Sequence, residues 1–471
     1  MSNSKKVAPI SGFPEYLPAD RIVEQSIVDV IREVFELHGF SSIQTRSVEP
    51  IDRLSAQGED TDKEIYVLSR LAGGAEQGMP RLGLHFDMTV PFARYVVENA
   101  GKLNFPFRRY QIQQAWRGER PQEGRYREFT QADIDVIDVD TLPAAYEAEI
   151  PLVIADIFDR LPVGEYVIQV NNRKIPEGFY RGIGLDASVG VIEALRIVDK
   201  LDKVGPDAVR DMLIGAGATD EQAGACLALA EIRAPDLSFV DRVRALGVTH
   251  PVLDEGLAAL SAVIAAGMAG APGRMVADLR IARGLDYYTG TVYETQLVGY
   301  ESWGSFCSGG RYDALAADNR HTYPGVGISI GVSRLVGLLV GKGLVRASRS
   351  TPSVVLIALA NDNVVARLAS AAVAKALRQR GIACEVAPTA AKFGKQIRYA
   401  ERRGIPYVWF PGGTAAGAGE SSGDEVKDIR SGEQVPADPA SWQPPADDLR
   451  PSVVRSSGAG SGTGGESGAE K

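Results

Sequence analysis

Apolar positions along this chain recur with two periods, and the switches between them outline its elements. Ile22, Val23, Ile27, Val30, Ile31, Val34 and Phe35 fall at helical spacing behind Asp20, a residue suited to an N-cap, and the run stops at Gly39. Glu64 to Ser69 and Arg81 to Asp87 read as a hairpin around the loop Gly73 to Gly78, followed by a helix with Thr89 as its cap and Pro91 in its first turn. Asp87 then stands at a strand-to-helix corner, where a carboxylate serves either as a cap or as a ligand. A period of two governs Tyr110 to Arg117 and Tyr126 to Val136, on either side of a turn that holds Pro121 and Gly124. This predicts a longer hairpin.

Beyond it, Thr141 to Leu161 is helical in period with an interruption at Pro151, and Val167 to Val170 is a strand ending on Asn171 and Asn172. From Pro176 to Gly273 the chain is rich in Ala, Leu and Gly and poor in aromatics, which predicts an inserted helical subdomain. Strands resume over Met275 to Ile281. Ser308 to Asp313 reads as a Gly-rich corner, and Gly325 to Leu335 as a short strand running into a helix with Arg334 in its early turns. The spacing of Gly325, Gly327 and Gly331 resembles a dinucleotide fingerprint only superficially. A boundary rich in Gly, Lys, Arg and Ser covers Gly341 to Pro352. After it the order is β-α-β-α-β, with strands at Val354 to Ala358, Ala383 to Val386 and Tyr407 to Phe410, and helices at Asn361 to Gly381 and Lys392 to Arg403. The connection from Pro411 to Gly423 and the Gly/Ser tail from Ser456 read as flexible. The expected division is a two-part α+β domain (1–175 and 274–342), the helical insertion (176–273), an α/β domain (353–450) and a disordered tail (456–471).

The 471 residues carry a formal net charge of −9, so any nucleic-acid partner must be met by a local basic patch and not by the whole surface. Lys392, Lys395, Arg398 and Arg402 supply one, at spacings that stack them on a single helix face; a solvated face is the commoner role of such a stripe. Cys226, Cys307 and Cys384 are odd in number and far apart, which indicates neither disulfides nor a zinc site. His38, His85, His250 and His321 are scattered singly. No run approaches the roughly 20 apolar residues of a membrane helix, and Met-Ser-Asn-Ser-Lys-Lys does not lead into a signal-peptide core. A cytoplasmic protein with no membrane partner is expected.

Candidate chemistry centres on the long hairpin. Alternation puts Arg125, Arg127, Phe129, Gln131, Asp133 and Asp135 on one face and Ala132, Ile134 and Val136 on the other. Such a polar face meets either water or a polar ligand. The arginines Arg117, Arg120, Arg125 and Arg127 suit phosphate, the carboxylates and amide suit an amine or nitrogen heterocycle, and Phe129 offers a ring for stacking. A second dense run, Arg283-Gly-Leu-Asp-Tyr-Tyr-Thr-Gly-Thr-Val-Tyr-Glu294, packs charge, aromatics and glycines into a β context.

These runs carry a resemblance. Arg117 to Phe129 resembles motif 2 of the class II aminoacyl-tRNA synthetases, Arg283 to Glu294 resembles the histidine-binding signature of the histidyl branch of that family, and Gly327 to Leu335 is similar to motif 3. Val426 to Gln434 also matches, so the resemblance runs from about Ser11 to about Gln434, with motif 1 placed loosely around Val48 to Pro50. His85 and Ser333 depart from the residues common at their positions, and Asp87 is the shorter carboxylate where Glu also occurs.

The resemblance implies an antiparallel sheet flanked by helices, a C-terminal α/β anticodon-binding domain, and a homodimer that uses ATP and Mg²⁺ to adenylate L-histidine before transfer to the 3′ end of tRNA(His). It implies ATP contacts from Arg117 (α-phosphate), Glu119 and Phe129 (adenine) and Arg334 (γ-phosphate). Asp87, Thr89 and Gln131 match the amine-binding positions and Asp135 and Tyr288 the ring-binding ones, with Arg117 and Tyr287 also at the histidine site. Arg283 would stabilise the charge that develops as the carboxylate attacks phosphorus, alongside Arg117. Arg120 and Gln122 would touch the acceptor end of the tRNA, and Lys395 and Arg398 its anticodon arm. No protein-held metal site is implied. An alternative is a non-catalytic paralogue that regulates histidine biosynthesis, which predicts loss of the phosphate-binding arginines or of the C-terminal domain; a ligase charging a carrier protein or small molecule would lack that domain.

Overall fold

The alternating stretches assemble into one nine-stranded sheet in the computed structural model, which describes residues 8–55, 63–70, 81–281, 287–412 and 423–456. Its two compact units are Met1–Pro14 with Ile27–Gly337, and Glu15–Ser26 with Leu338–Lys471. In the first unit the strands are β1 (Ser41–Ser42), β2 (Val48–Pro50), β3 (Val67–Leu68), β4 (Leu82–Leu84), β5 (Phe107–Trp116) and β6 (Glu128–Ile137). They continue as β7 (Tyr166–Asn172), β8 (Arg233–Ala234), β9 (Met275–Asp278), β10 (Thr291–Leu297), β11 (Cys307–Tyr312) and β12 (Gly325–Gly331). The sheet order is β1-β5-β6-β12-β11-β10-β7-β9-β8; the middle five pairings, from β5–β6 through β10–β7, are antiparallel, and β2, β4 and β3 form a separate small sheet.

The long hairpin is β5 and β6, paired from Phe107↔Ile137 to Trp116↔Glu128. One face of the sheet is apolar, and Ala132, Ile134, Val136, Val326, Ile328 and Ile330 are all buried there. Beside β12 lies the helix Ala145–Arg160. Pro151 lies inside this helix without interrupting it. Proline has no N–H to offer the carbonyl four residues back, and the Tyr293 hydroxyl instead donates to the Glu147 carbonyl at 2.6 Å.

Other expectations need correcting. Thr89 does not cap its helix: it is the first residue of Thr89–Asn99, and the Asp87 carboxylate accepts from the Val90 N–H at 3.1 Å. Ser308 to Asp313 is no corner, because Cys307–Tyr312 is a central strand whose glycines let neighbouring backbone approach. Within 176–273 a short strand, β8, joins the edge of the main sheet. Contrary to the expectation that no run approaches this length, the helix Pro251–Gly270 is 20 residues long and apolar enough to cross a membrane by length and composition. It is a packing helix, with Leu253, Leu257, Leu260 and Ile264 buried and Gly256 closing on the backbone of Ile175.

In the second unit β13 (Val345–Ala347) pairs with a late strand inside what sequence suggests is only a boundary. The α/β order is as read: β14 (Val355–Ile357) lies parallel to both β15 (Cys384–Val386) and β16 (Tyr407–Phe410), with helices at Val364–Gln379, capped by Asn363, and Phe393–Arg403. β17 (Glu425–Asp428) and β18 (Gln434–Pro436) extend it antiparallel, and β19 (Val453–Arg455) is the partner of β13. Residues 413–422 and 457–471, the greater part of the segments read as flexible, lie outside the described residues.

The alternate glycines of β12 explain themselves in this sheet. A Cβ on Gly327 would lie 2.2 Å from Asp135 Oδ1, and one on Gly325 2.5 Å from the Tyr312 ring. Neither contact can relax cheaply in a central strand. Gly327→Ala is expected to lower stability by about 1–3 kcal/mol in urea unfolding, whereas Gly101→Ala, with nothing within 4 Å of the new carbon, is expected to leave it nearly unchanged.

Candidate active site

Register turns the polar positions of separate strands into rows across the sheet. Gln111 on β5 faces Asp133 on β6, which faces Ser329 on β12, then Ser308 on β11, Glu294 on β10 and Gln169 on β7. The adjacent row is Arg109, Asp135, Gly327, Gly310 and Val292. The far end of the hairpin face that could have been solvated is therefore covered: Asp133 and Asp135 are each 3% exposed and Arg109 and Gln111 are fully buried, while Arg125 at the turn end stays exposed.

Hydrogen bonds link the rows. Gln131 donates to the Ser329 hydroxyl at 2.8 Å, and Ser329 donates to Asp133. The Tyr312 hydroxyl donates to Asp135 Oδ1 at 2.8 Å, while Arg109 Nη2 lies 2.6 Å from Asp135 Oδ2. Asp87 reaches the same neighbourhood from the strand-to-helix corner, with the Tyr287 hydroxyl 3.4 Å from its Oδ2. Burial pushes the Asp133 carboxyl up to about 7 and that of Asp135 up to about 6, against the pull of Arg109. Asp87 is also raised by burial, with its helix-cap bond and Arg117 pulling the other way. Three carboxylates thus share a buried region in which Arg109 and Arg117 are the opposing arginines. Such a region favours a ligand that brings positive charge and N–H donors.

The turn end of the hairpin has the opposite character. A cavity of about 110 Å³ is lined by Arg117, Glu119, Arg125, Phe129, Gln131 and Arg334, and a larger cleft of about 440 Å³ shares Arg117 and Arg125 and adds Tyr288 and Glu294. Arg117 donates to the Phe86 carbonyl at 3.1 Å and stacks on Phe129 with its guanidinium carbon 5.2 Å from the ring centre. Arg334 donates to the carbonyls of Gly124 and Ser305, and its pKa is lowered by burial and by the nearby charges of Arg125 and Arg117. Cations held this close to one another call for an anion between them.

Comparison with known proteins decides what this arrangement belongs to. Residues 12–335 match the family model described as histidyl-tRNA synthetase, and residues 353–438 match an anticodon binding domain. The chain is 58% identical over 460 residues to the histidine–tRNA ligase of Micrococcus luteus, covering 95% of this chain and 98% of that protein. It is 54% identical to that of Cutibacterium acnes, with 95% and 99% covered. The chain belongs to the histidyl-tRNA synthetase family. A solved histidyl-tRNA synthetase from Nostoc superposes with a TM-score of 0.80 at 33% identity, covering 92% of this chain and 97% of that one. A Bacillus halodurans chain described as an ATP phosphoribosyltransferase regulatory subunit/histidyl-tRNA synthetase shares the fold, with a TM-score of 0.69 at 19% identity.

Within this histidyl-tRNA synthetase framework the residues singled out from sequence fall into four groups. Arg117, Glu119, Phe129, Gln131 and Arg334 line one cavity. Asp87, Thr89, Asp135, Tyr287 and Tyr288 lie in or beside the buried acidic region, with Tyr287 also in hydrogen-bonding contact with Thr89. Arg120 and Gln122 are exposed in the hairpin turn and line neither cavity, and Lys395 and Arg398 are exposed on the helix Phe393–Arg403 of the second unit. Arg283 lies outside the described residues. His85 is buried, with Nε2 2.7 Å from the Gln114 carbonyl, and Ser333 accepts from the Thr130 N–H. Sequence reasoning did not single out Arg109, Tyr312, Ser329 or Glu294 individually. Their signal was cross-strand register, which one strand read alone does not contain.

The raised carboxyls have a consequence for stability. An Asp whose folded pKa lies above its unfolded value near 4 contributes stability below that value and loses it as pH rises through the folded pKa. For Asp133 and Asp135 the loss spans from about 4 to the values of about 7 and about 6. Asp133→Asn is expected to flatten the fall in Tm of the free protein between pH 5 and 7.5 (roughly the window in which a carboxyl with a raised pKa titrates) and to be at least as stable as the parent at the upper end. Thermal scans at stepped pH test this, and a steeper fall in the variant would contradict it.

Proposed function

We propose that this enzyme, an aminoacyl-tRNA ligase, binds L-histidine over the buried Asp87, Asp133 and Asp135 and ATP over Arg117, Arg125 and Arg334, and joins them on the hairpin face before transfer to tRNA(His). The observation that carries this reading is the polarity of β5 and β6: carboxylates buried at the far end, arginines gathered at the turn, one sheet face between. The amino acid carries an amine, a ring with N–H groups and an attacking carboxylate. ATP carries the phosphates, so the charges of the two ends of the hairpin suit the two substrates in one orientation.

Arg117, between the two regions, holds the α-phosphate in the proposed complex, and Arg334 the γ-phosphate. Phe129 and Glu119 receive adenine. Asp87, Thr89 and Gln131 take the amine, and Asp135 and Tyr288 take the ring, with Tyr287 fixing the Asp87 carboxylate through its hydroxyl. Arg283, on the resemblance of its signature, stabilises the charge that builds as the histidine carboxylate oxygen attacks the α-phosphorus and pyrophosphate leaves; this is electrostatic and involves no proton transfer. Mg²⁺ enters as the ATP complex. Among the described residues no three His, Cys, Asp or Glu side chains could cage an ion, whereas Mg²⁺ bound with a nucleotide takes one or two carboxylates plus phosphate oxygens, and Glu294 in the larger cleft offers one. Arg120 and Gln122 face the acceptor end of the tRNA, and Lys395 and Arg398 its anticodon arm. A homodimer working in the cytoplasm completes the proposal. The regulatory-paralogue reading predicts loss of the arginines or of the C-terminal domain, and both are present.

Histidine-dependent ATP–pyrophosphate exchange tests the first half-reaction. Exchange is expected with histidine and not with other amino acids, and Arg334→Ala is expected to raise KM for ATP roughly tenfold to a hundredfold, the range for a lost charge-assisted contact. Equal exchange across amino acids would sink the reading. For the second half-reaction, Lys395→Glu with Arg398→Glu is expected to raise KM for tRNA in charging assays and to weaken its salt dependence. An unmoved KM would remove this stripe from the tRNA interface.

A further inference from the structure

Arg109 is the charged residue most deeply placed in the sheet, and the function proposed above leaves it unused. It is fully buried, directly opposite Asp135 across β5 and β6, with its guanidinium carbon 4.2 Å above the Phe92 ring. Its Nη2 lies 2.6 Å from Asp135 Oδ2, yet none of its three nitrogens has an acceptor aligned along an N–H direction. The attraction is therefore close and Coulombic more than a directed hydrogen bond. A buried guanidinium held this way costs more than an apolar side chain of similar volume, so packing alone does not account for an arginine here.

The groups around Asp135 all act to fix it. Tyr312 donates to Oδ1, and Gly325 and Gly327 have no Cβ, which leaves room for the Tyr312 ring and the carboxylate. Each oxygen of a carboxylate accepts about two hydrogen bonds, so one contact on each leaves capacity on both for a ligand.

We infer that Arg109 is a positioning residue for histidine recognition: from the neighbouring strand, on the same sheet face, it holds Asp135 ionised and aimed, so that Asp135 presents a charged acceptor to the ring N–H of bound histidine. The inference rests on the reading of Asp135 as the ring-binding residue. Arg109 touches neither substrate. It sets the charge of the residue that does, and also opposes Asp133 in the next row.

The test is steady-state exchange with histidine and ATP varied separately. Arg109→Met keeps length and removes charge; KM for histidine is expected to rise tenfold or more while KM for ATP stays within about twofold, the pattern of a local loss of ground-state binding. Arg109→Lys, which keeps the charge, is expected to recover most of the histidine affinity. Combining Arg109→Met with Asp135→Asn should cost no more than the worse single variant, because the two act through one contact. Equal rises in both KM values, or fully additive losses, would overturn the inference. Should Arg109→Met fail to fold by thermal unfolding, Arg109→Gln against Arg109→Lys gives the same split, and a matching histidine KM in those two would overturn it as well. Asp135→Asn alone separates the premises. If it leaves histidine KM unmoved, the reading of Asp135 fails; if it raises that KM and the Arg109 variants do not, only the role of Arg109 fails.

Discussion

Burying charge on one face of a sheet is the constraint around which the first unit is arranged. Asp133 and Asp135 lie in a region from which water is largely removed, and an unopposed carboxylate in such surroundings costs several kcal/mol. Arg109 supplies the counter-charge from the neighbouring strand, and Tyr312 and Ser329 supply hydroxyl donors. Room for the Tyr312 ring and the Asp135 carboxylate comes from the missing side chains of Gly325 and Gly327. The apolar reverse of the same strands, Ile134, Val136, Val326, Ile328 and Ile330, provides the burial that lets the sheet carry this cost. The two faces are therefore one design, in which alternation places stability on one side and chemistry on the other.

How much of this was legible follows from which interactions are local. The hairpin was legible to within three residues at each strand end, because period two and a Pro/Gly turn are properties of a single stretch. So was the β-α-β-α-β order of the second unit. The corner expected at Ser308 to Asp313 was a central strand, since glycine signals a turn and a crowded strand equally and only the partners of β11 separate the two. Pro151 looked like an interruption until Tyr293, far along the chain, supplied the missing donor. Thr89 looked like a cap, but the carboxylate two residues earlier serves the next free N–H. The polar hairpin face could be seen from sequence, but not its burial, which depends on β12, β11 and β10 lying alongside.

Arg334 ties the hairpin turn to the segment before β11 in a way that depends on backbone and not on charge alone. Its guanidinium donates to Gly124 in the hairpin turn and to Ser305 beyond β10, and a Cβ on Gly124 would meet the Trp303 ring at 2.6 Å. The turn is thus seated on the segment that precedes β11, with Arg334 as the tie. In the proposed complex a phosphate offers Arg117 and Arg334 a charged acceptor in place of neutral carbonyls, and relieves the repulsion from Arg125 and Arg117 that, together with burial, lowers the Arg334 pKa. On that proposal, nucleotide binding and the seating of the turn are coupled through one side chain.

Specificity for one amino acid is harder to obtain than binding, and in the proposed complex it comes from the cost of unpaired groups. A pocket lined by buried carboxylates is stable only with its counter-charges and donors in place, and Arg109 and Arg117 do not match Asp87, Asp133 and Asp135 one for one. A ligand with an amine at one end and ring N–H groups at the other makes up the difference. An aliphatic amino acid provides the amine but leaves the far carboxylate without a donor, which is the kind of mismatch that buried polar sites reject most strongly. A basic side chain such as that of lysine brings charge but not a planar ring to lie beside Tyr288. The fold alone carries none of this discrimination, since the same sheet with neutral residues at Asp133 and Asp135 would pack as well or better. On the proposed reading, what separates this chain from a bare class II scaffold is a set of buried charges that the fold tolerates and the amino acid completes.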